Sequence, residues 1–367
     1  MSTRANAERP GRLLRVLAVC VLASPAIAHE QVPPTEAADT AAIVATIQAG
    51  VKAAYAAGQR PAMRDAHAKA HGCVRAELTV LPDLPAELRE GVFAASRTYP
   101  AWIRFSNGNG APHPDATGDG RGMAIKLMDV PGRKLLPAET TAQTQDFVMI
   151  NHPVFFVRNV ADYRSFTALS TQKRSAEFFA NRAHEKAIVA AITSKTIGEV
   201  FELRYYSMTP YLLGSRPSKF SARPVDCASG KGLTASATVP PSNDPDYLRT
   251  RMQQWLDERD ACFHFAVQLQ TDPTTQPVED PTVVWDDARA PFTDVAKLRI
   301  PRQTFTSDAQ RAFCENLSFT PWHALPEHRP IGGINRVRRP VYEAISKLRH
   351  ELNGAPRHEP VDNEALE

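Results

Sequence analysis

An excess of charge of one sign is almost absent from this chain. Forty-three Lys and Arg stand against 40 Asp and Glu, a formal net charge of +3 over 367 residues. That leaves no electrostatic footprint for nucleic acid. Glycine is scarce, 18 residues against 30 prolines. The prolines are scattered, which suggests long, pinned, irregular connections. There is no repeat of fixed period and no low-complexity stretch. Apolar runs are short: Val16 to Leu22 is too brief to span a bilayer, and no other run reaches membrane length. Stable membrane insertion is therefore not expected. The glycines of DGRGMAIK (119–126) lack phosphate-loop spacing, which excludes a nucleotide site. His67 and His71 are four apart, but no glutamate lies between them as in a zinc-protease motif. Gly72 also argues against one continuous helix, so zinc is disfavoured there.

What remains is ordinary globular composition, 43% hydrophobic and 23% charged, in a chain long enough for one large or two medium domains. The first 28 residues read as a signal peptide. Arg4, Arg9, Arg12 and Arg15 form a basic start, the apolar run follows, and Ser24 to Ala28 ends in a small-x-small site with cleavage expected after Ala28. The protein is then expected to be exported, periplasmic or secreted. Of five cysteines, Cys20 lies in that leader. Cys73, Cys227, Cys262 and Cys314 remain, in a compartment that permits disulfides whose pairing the sequence does not assign.

Ile43, Ile47, Val51 and Ala54 recur at helical spacing over 40–57. Within RDAHAKAHGCVRAELTV (64–80), Val74, Ala76, Leu78 and Val80 alternate with Arg75, Glu77 and Thr79, the pattern of a half-buried strand. The segments 101–106, 122–129, 146–150, 154–157, 201–209, 219–224, 262–270 and 281–286 also read as strands, and 161–200 and 243–259 as helical. Strands separated by helical insertions favour an α+β fold with an antiparallel sheet or barrel. Residues after Gly354 are polar and expected to fray.

The chemistry-bearing stretch is NRVRRPVYEAISKLRHELN (335–353). Pro340 suits the first turn of a helix, after which Tyr342, Ser346 and Arg349 share one face. Arg338 is four residues before Tyr342. Guanidinium groups on either side favour an ionised phenol, and a phenolate is a hard ligand for ferric iron that can hold haem axially. Read alone, the same stretch is also an ordinary amphipathic helix. In RFSNGNG (104–110), Asn-Gly pairs supply a turn. Arg104, inside an apolar strand, wants a buried anion, and Ser106 can orient an imidazole. The aromatic residues Phe155, Phe156, Tyr163 and Phe166 suit a core or a pocket equally. CENLSFTPWHALPEH (314–328) matches no zinc spacing and reads as a structured Pro-rich loop.

In order along the chain these fragments resemble the haem catalase superfamily, in particular the small catalase-related peroxidases, from about Arg64 to Arg349. HAKAHG resembles the distal segment, implying His67 as catalytic base with Arg64 before it. YPAWIRFSNGNG implies Arg104 as a haem-propionate contact and Ser106 as partner of the distal histidine. HPVFFVRNVADYRSF puts Tyr163 against the haem. RRPVY carries R-x-x-x-Y, implying Tyr342 as iron ligand beside Arg338, and Arg349 as a further propionate contact. Four departures accompany the likeness. Ala66 replaces a usual Val. Ile150 stands where catalases carry the distal asparagine, with Asn151 one residue later as the candidate. Ser346 replaces a usual His, and the catalases' C-terminal extension is absent. The resemblance implies a catalase-like antiparallel β-barrel (29–353) with packed helices and buried haem b. The implied activity is a peroxidase using hydrogen peroxide or organic hydroperoxides to oxidise small organic donors, with weak catalase activity. Fatty-acid hydroperoxide isomerase or lyase and exported haem-binding protein are the alternatives.

Overall fold

A computed structural model describes residues 30–235 and 243–362. The expected signal peptide and its cleavage site lie outside the described residues. Eight antiparallel strands close into a barrel: β1 (Ala70–Val80), β2 (Thr98–Asn107), β3 (Arg121–Leu127), β4 (Gln145–Ile150), β5 (Tyr205–Tyr206), β7 (Arg216–Val225), β8 (Ala261–Leu269) and β9 (Thr293–Ile300), which returns to β1. A short β6 (Tyr211–Leu213) pairs with β7, and its Tyr211 bridges Pro330. Among the described residues seven helices surround it, the longest being α1 (Glu36–Ala56) and α7 (Gly333–Asn353). Between them in sequence come α2 (Val160–Thr171), α3 (Ser175–Phe179), α4 (Ala183–Thr193), α5 (Tyr247–Glu258) and α6 (Asp308–Asn316). The fold is α+β, as the sequence predicts.

The barrel closes because the apolar member of each alternating pair points inward. Val74, Ala76, Leu78 and Val80 of β1 are buried while Glu77 and Thr79 are exposed. Inside, Phe147, Phe220 and Phe265 pack with ring centroids 4.9 to 5.6 Å apart, joined by Phe105 and Phe263 in one continuous core. A second apolar cluster forms outside the barrel. Ile43, Ile47 and Val51 of α1 meet Val337, Val341, Ile345 and Leu348 of α7. Helix α7 is thus clamped on its outer side while its other face looks toward the barrel.

Several local expectations are corrected. Residues 154–157 and 281–286 are irregular and not strands. They meet through a single bond, Phe155 N–H to Pro281 O at 3.0 Å, because Pro153 and Pro281 interrupt the donor rows a ladder needs. Of 201–209, only Tyr205–Tyr206 pairs as strand. The alternating β9 and the capped α6 were unassigned; α6 begins with a capping box of Ser307 and Gln310. Residues 355–362 are not frayed. Lys126 donates to Glu359 at 2.6 Å and to Asp146 at 2.7 Å, Arg357 pairs with Glu139, and Trp102 Nε1–H donates to the Asp362 carbonyl at 3.0 Å. A buried ammonium needs its counter-charges, and the tail supplies one.

The four remaining cysteines pair as Cys73–Cys314 and Cys227–Cys262. The first closes a separation of 241 residues. In the chain-entropy picture a loop of that size is worth about 5 kcal/mol. No described helix is long and apolar enough to cross a membrane.

Candidate active site

Strand register builds one wall of the site. Ser106 of β2 lies opposite Gly122 of β3, which lies opposite Ile150 of β4. Two residues along each strand, Arg104, Ala124 and Val148 form a second row on the same face. Their neighbours Ile103, Phe105 and Ile125 point into the barrel core, so the pleat sends the polar members outward to a cavity of about 530 Å³. This is within the size range of cofactor pockets. Helix α7 forms the facing wall with Arg338, Tyr342, Ser346 and Arg349, and α2 adds Tyr163 and Phe166. Arg64 and His67 enter from the segment before β1. Residues far apart in sequence, His67 and Tyr342, therefore line one cavity.

His67 is held in a left-handed conformation, φ 58°, which costs a non-glycine residue roughly 1 kcal/mol or more. Three hydrogen bonds hold it there. Its N–H donates to Gly108 O at 3.0 Å, Ala68 N–H donates to Asn109 O at 3.1 Å, and Arg104 Nη2 donates to the His67 carbonyl at 2.8 Å. The turn that receives them is itself fixed by Asp119, whose Oδ2 accepts from the N–H groups of Gly108 and Asn109 and bonds His113 Nε2. The imidazole Nδ1 lies 3.0 Å from Ser106 Oγ. A methyl at Gly122 would sit 2.5 Å from that nitrogen and 2.7 Å from that oxygen, so glycine is required there. Burial pushes the His67 pKa down to about 4, aided by the Arg104 guanidinium.

Asn151 does not belong to this cavity. Its Oδ1 accepts from Arg121 N–H at 2.8 Å, and Ile150 occupies the lining position. Asn151 follows the end of β4 and is held by Arg121, whose N–H its Oδ1 accepts and whose carbonyl its own N–H reaches at 3.0 Å.

Arg64, Arg104 and Arg349 gather at one end. Arg64 Nη1 bonds Glu315 Oε1 at 3.0 Å, and Arg349 Nη2 bonds the same carboxylate and, at 3.0 Å, the Glu315 carbonyl. Burial pushes Glu315 up, but the guanidinium groups of Arg64 and Arg349 win and hold it below its usual range. Arg104 is fully buried, and its Nε has no hydrogen-bond partner among the described residues. Burial, then the charge of Arg64, pull its pKa well down. Three guanidinium groups face the Glu315 carboxylate and, near Arg349, the buried Asp65, whose pKa burial pushes up to about 6, so positive charge is in excess at this end.

On α7 the helix runs through Pro340 and covers Arg338. Arg338 donates to Thr209 Oγ1 at 3.1 Å and its guanidinium sits 5.2 Å from the Phe155 ring centroid. Burial pushes the Tyr342 pKa up and the Arg338 charge pulls it down. The net direction is upward, so the expectation that arginines alone favour the phenolate is corrected: desolvation wins. The Tyr163 ring stands edge-on to Phe155, centroids 5.9 Å apart, and burial raises its pKa too.

Glu315, Asp119 and Gly122 escaped sequence reading. Glu315 meets Arg64 across 251 residues, and no local spacing signals that. His71 is buried in β1 with neither ring nitrogen bonded, and is not a cavity residue. Glu139, His323 and Glu359 bring ligand atoms within 4.8 Å, but Lys126 and Arg357 already neutralise those carboxylates, so the group is an ion-pair cluster.

A family model for catalase matches residues 29–189. No match is found among curated protein sequences. A fungal catalase superposes with a TM-score of 0.60 at 18% identity, over 82% of this chain and 61% of its own. A bacterial catalase gives 0.61 at 16%, over 84% and 63%, and catalase A from Saccharomyces cerevisiae 0.59 at 18%, over 82% and 62%. This chain thus spans about three fifths of each of these structures, and at such identities the likeness is one of fold.

Proposed function

We propose that the chain is a protein of the catalase superfamily, a reading supported by the family match over residues 29–189 and by the shared fold, and that it is an exported, haem-dependent peroxidase. It uses hydrogen peroxide or organic hydroperoxides to oxidise small organic donors, with weak catalase activity. The observation that carries this reading is the single cavity lined at once by a proton-accepting His67 and by Tyr342.

The residues fit haem b. Tyr342 offers an oxygen ligand for iron, and the anion-poor cluster of Arg64, Arg104 and Arg349 suits its two carboxylates. The unbonded Arg104 Nε is a donor without an acceptor. When bound, haem supplies an iron centre at which the peroxide O–O bond is cleaved and oxidising equivalents are held. The remaining steps belong to the chain. Neutral His67, its pKa kept low by burial, accepts a proton from the incoming hydroperoxide at Nε2 and returns it to the departing oxygen. Ser106 holds the ring through Nδ1. Arg338 supplies positive charge beside Tyr342 and offsets part of the cost of ionising it. Tyr163 and Phe155 pack the apolar flank.

Ile150 in the place of an asparagine removes a donor that a second, small peroxide would use, which favours donor oxidation over disproportionation. The outer part of the cavity is apolar, with Phe156, Phe166, Phe179, Val189 and Ile192. It suits bulky hydroperoxides, and on that observation rearrangement of fatty-acid hydroperoxides is the second reading. Export is supported by two disulfides. His67→Ala should retain haem and lose about 10² to 10⁴ of its peroxide-dependent donor oxidation. An unchanged rate overturns the role of His67. Haem uptake with no turnover in the unaltered protein would favour a haem-binding function.

A further inference from the structure

At the cavity wall, Ser346 and His350 of α7 and Ser318 of the loop after α6 make a row of hydroxyl and imidazole groups that the proposed reaction does not use. Ser346 Oγ, on the cavity surface, lies 2.8 Å from Ser318 Oγ, and Ser318 Oγ lies 3.1 Å from His350 Nε2. His350 Nδ1 lies 2.6 Å from the Ala355 carbonyl oxygen. Ala355 and His350 border a second hollow of about 530 Å³, formed with Lys347, Glu351, Gly354 and Arg357 at the end of α7.

The direction of every hydrogen bond in this row follows from one fixed end. A carbonyl can only accept, so Nδ1 carries the hydrogen of the neutral ring and Nε2 presents a lone pair. Ser318 must then donate to Nε2, and having a single hydrogen it must accept from Ser346. Ser346 is left with lone pairs toward the cavity. We infer that Ser346, Ser318 and His350 form a proton relay leading out of the cavity, with His350, at the border of the outer hollow, as its terminal acceptor.

The transfer balances without electrons. An acid in the cavity gives its proton to Ser346 Oγ, the Ser346 hydrogen passes to Ser318 Oγ, and the Ser318 hydrogen passes to Nε2. Three bonds to hydrogen form and three break. The imidazolium keeps its Nδ1–H on the Ala355 carbonyl, and the reverse shift returns the proton and restores the row. Burial keeps His350 below its ordinary pKa; the Ala355 carbonyl opposes this, and Arg349, Arg357 and Arg64 add to it. Lys347 and Glu351 also face the hollow. His350 is therefore vacant near neutral pH. The identity of the acid, a porphyrin carboxylic acid ionising beside Arg349, rests on the haem reading; the path itself rests on the chain.

The test is ¹H–¹⁵N NMR of His350 in the full chain, with and without zinc protoporphyrin IX, in the unaltered protein, Ser318→Ala and Ser346→Ala. The unaltered chain should show the Nδ1–H tautomer, and its His350 midpoint should shift when the porphyrin binds. Ser318→Ala should move the midpoint by about half a pH unit or more and abolish the response to porphyrin. Ser346→Ala, which leaves the Ser318–His350 bond in place, should abolish the response as well. An Nε2–H tautomer, or a porphyrin response that survives Ser346→Ala, overturns the path. Failure of the porphyrin to bind counts against the haem reading alone, because the tautomer and the Ser318→Ala shift are read without it.

Discussion

Gly122→Ala puts the design of the distal side to a quantitative test. The added Cβ would lie 2.5 Å from His67 Nδ1, 2.7 Å from His67 Cε1 and 2.7 Å from Ser106 Oγ. Ordinary contact begins near 3.4 Å, so the imidazole must retreat by about 1 Å. The β3 backbone cannot give way instead, since Gly122 is bonded into the sheet between Ser106 and Ile150. Overpacking of this kind costs about 1–3 kcal/mol, partly offset by about 0.4–1 kcal/mol from a less flexible unfolded chain. A displacement of about 1 Å at a catalytic group lowers rates by about 10²-fold. The assay pairs thermal unfolding with peroxide-dependent donor oxidation by the haem-loaded protein. Gly50→Ala, at a helical position with nothing within 4 Å of its Cβ, serves as control and should stabilise by about 1 kcal/mol with no change in rate. A Gly122→Ala protein with wild-type stability and a rate within about twofold of normal would refute the proposition that His67 and Ser106 are held by the space this glycine leaves.

Two further outcomes follow from charge. His67 has a folded pKa of about 4 against an ordinary 6.5, so the unfolded chain binds a proton in that window that the folded chain refuses. Stability should fall as pH drops from 6.5 toward 4, by about 3 kcal/mol for this group, and donor oxidation should hold to about pH 5 before declining; a pH-rate profile with its acid limb near 6.5 contradicts the burial argument. Glu315→Gln leaves Arg64 and Arg349 facing each other without their shared carboxylate and should cost about 3–5 kcal/mol. Saturating haemin should recover about 2–3 kcal/mol of that, whereas an unaltered melting temperature without haemin would remove Glu315 from its assigned place.

Much of the barrel was legible because its signal is local. Val74, Ala76, Leu78 and Val80 alternate with polar neighbours, and the pleat converts that alternation directly into inside and outside. The same rule explains Arg104 and Ser106, the polar members of an otherwise apolar strand, which emerge on the cavity face. Where prolines interrupt the pattern, at 153 and 281, apolar runs that read as strands are packed loops. The α7 face of Tyr342, Ser346 and Arg349 was legible from helical spacing, whereas Pro340, which suits a first turn, lies inside a helix that starts at Gly333 and already covers Arg338. What could not be read was pairing across long separations. Glu315 with Arg64, Cys73 with Cys314, and Glu359 with Lys126 each join segments more than 200 residues apart, and no period in the sequence records them. Asn151, the asparagine nearest the expected place, follows the end of β4 and bonds Arg121, while Ile150 lines the cavity.

The central claim is that Tyr342 supplies the axial oxygen to a haem held in this cavity. It is tested most directly by titrating the full chain with haemin and recording its absorption spectrum beside that of Tyr342→Phe. The expected result is one haemin per chain, a five-coordinate high-spin ferric spectrum with a phenolate charge-transfer band, and loss of that band in Tyr342→Phe. No uptake of haemin, or a spectrum that Tyr342→Phe leaves unaltered, would contradict it.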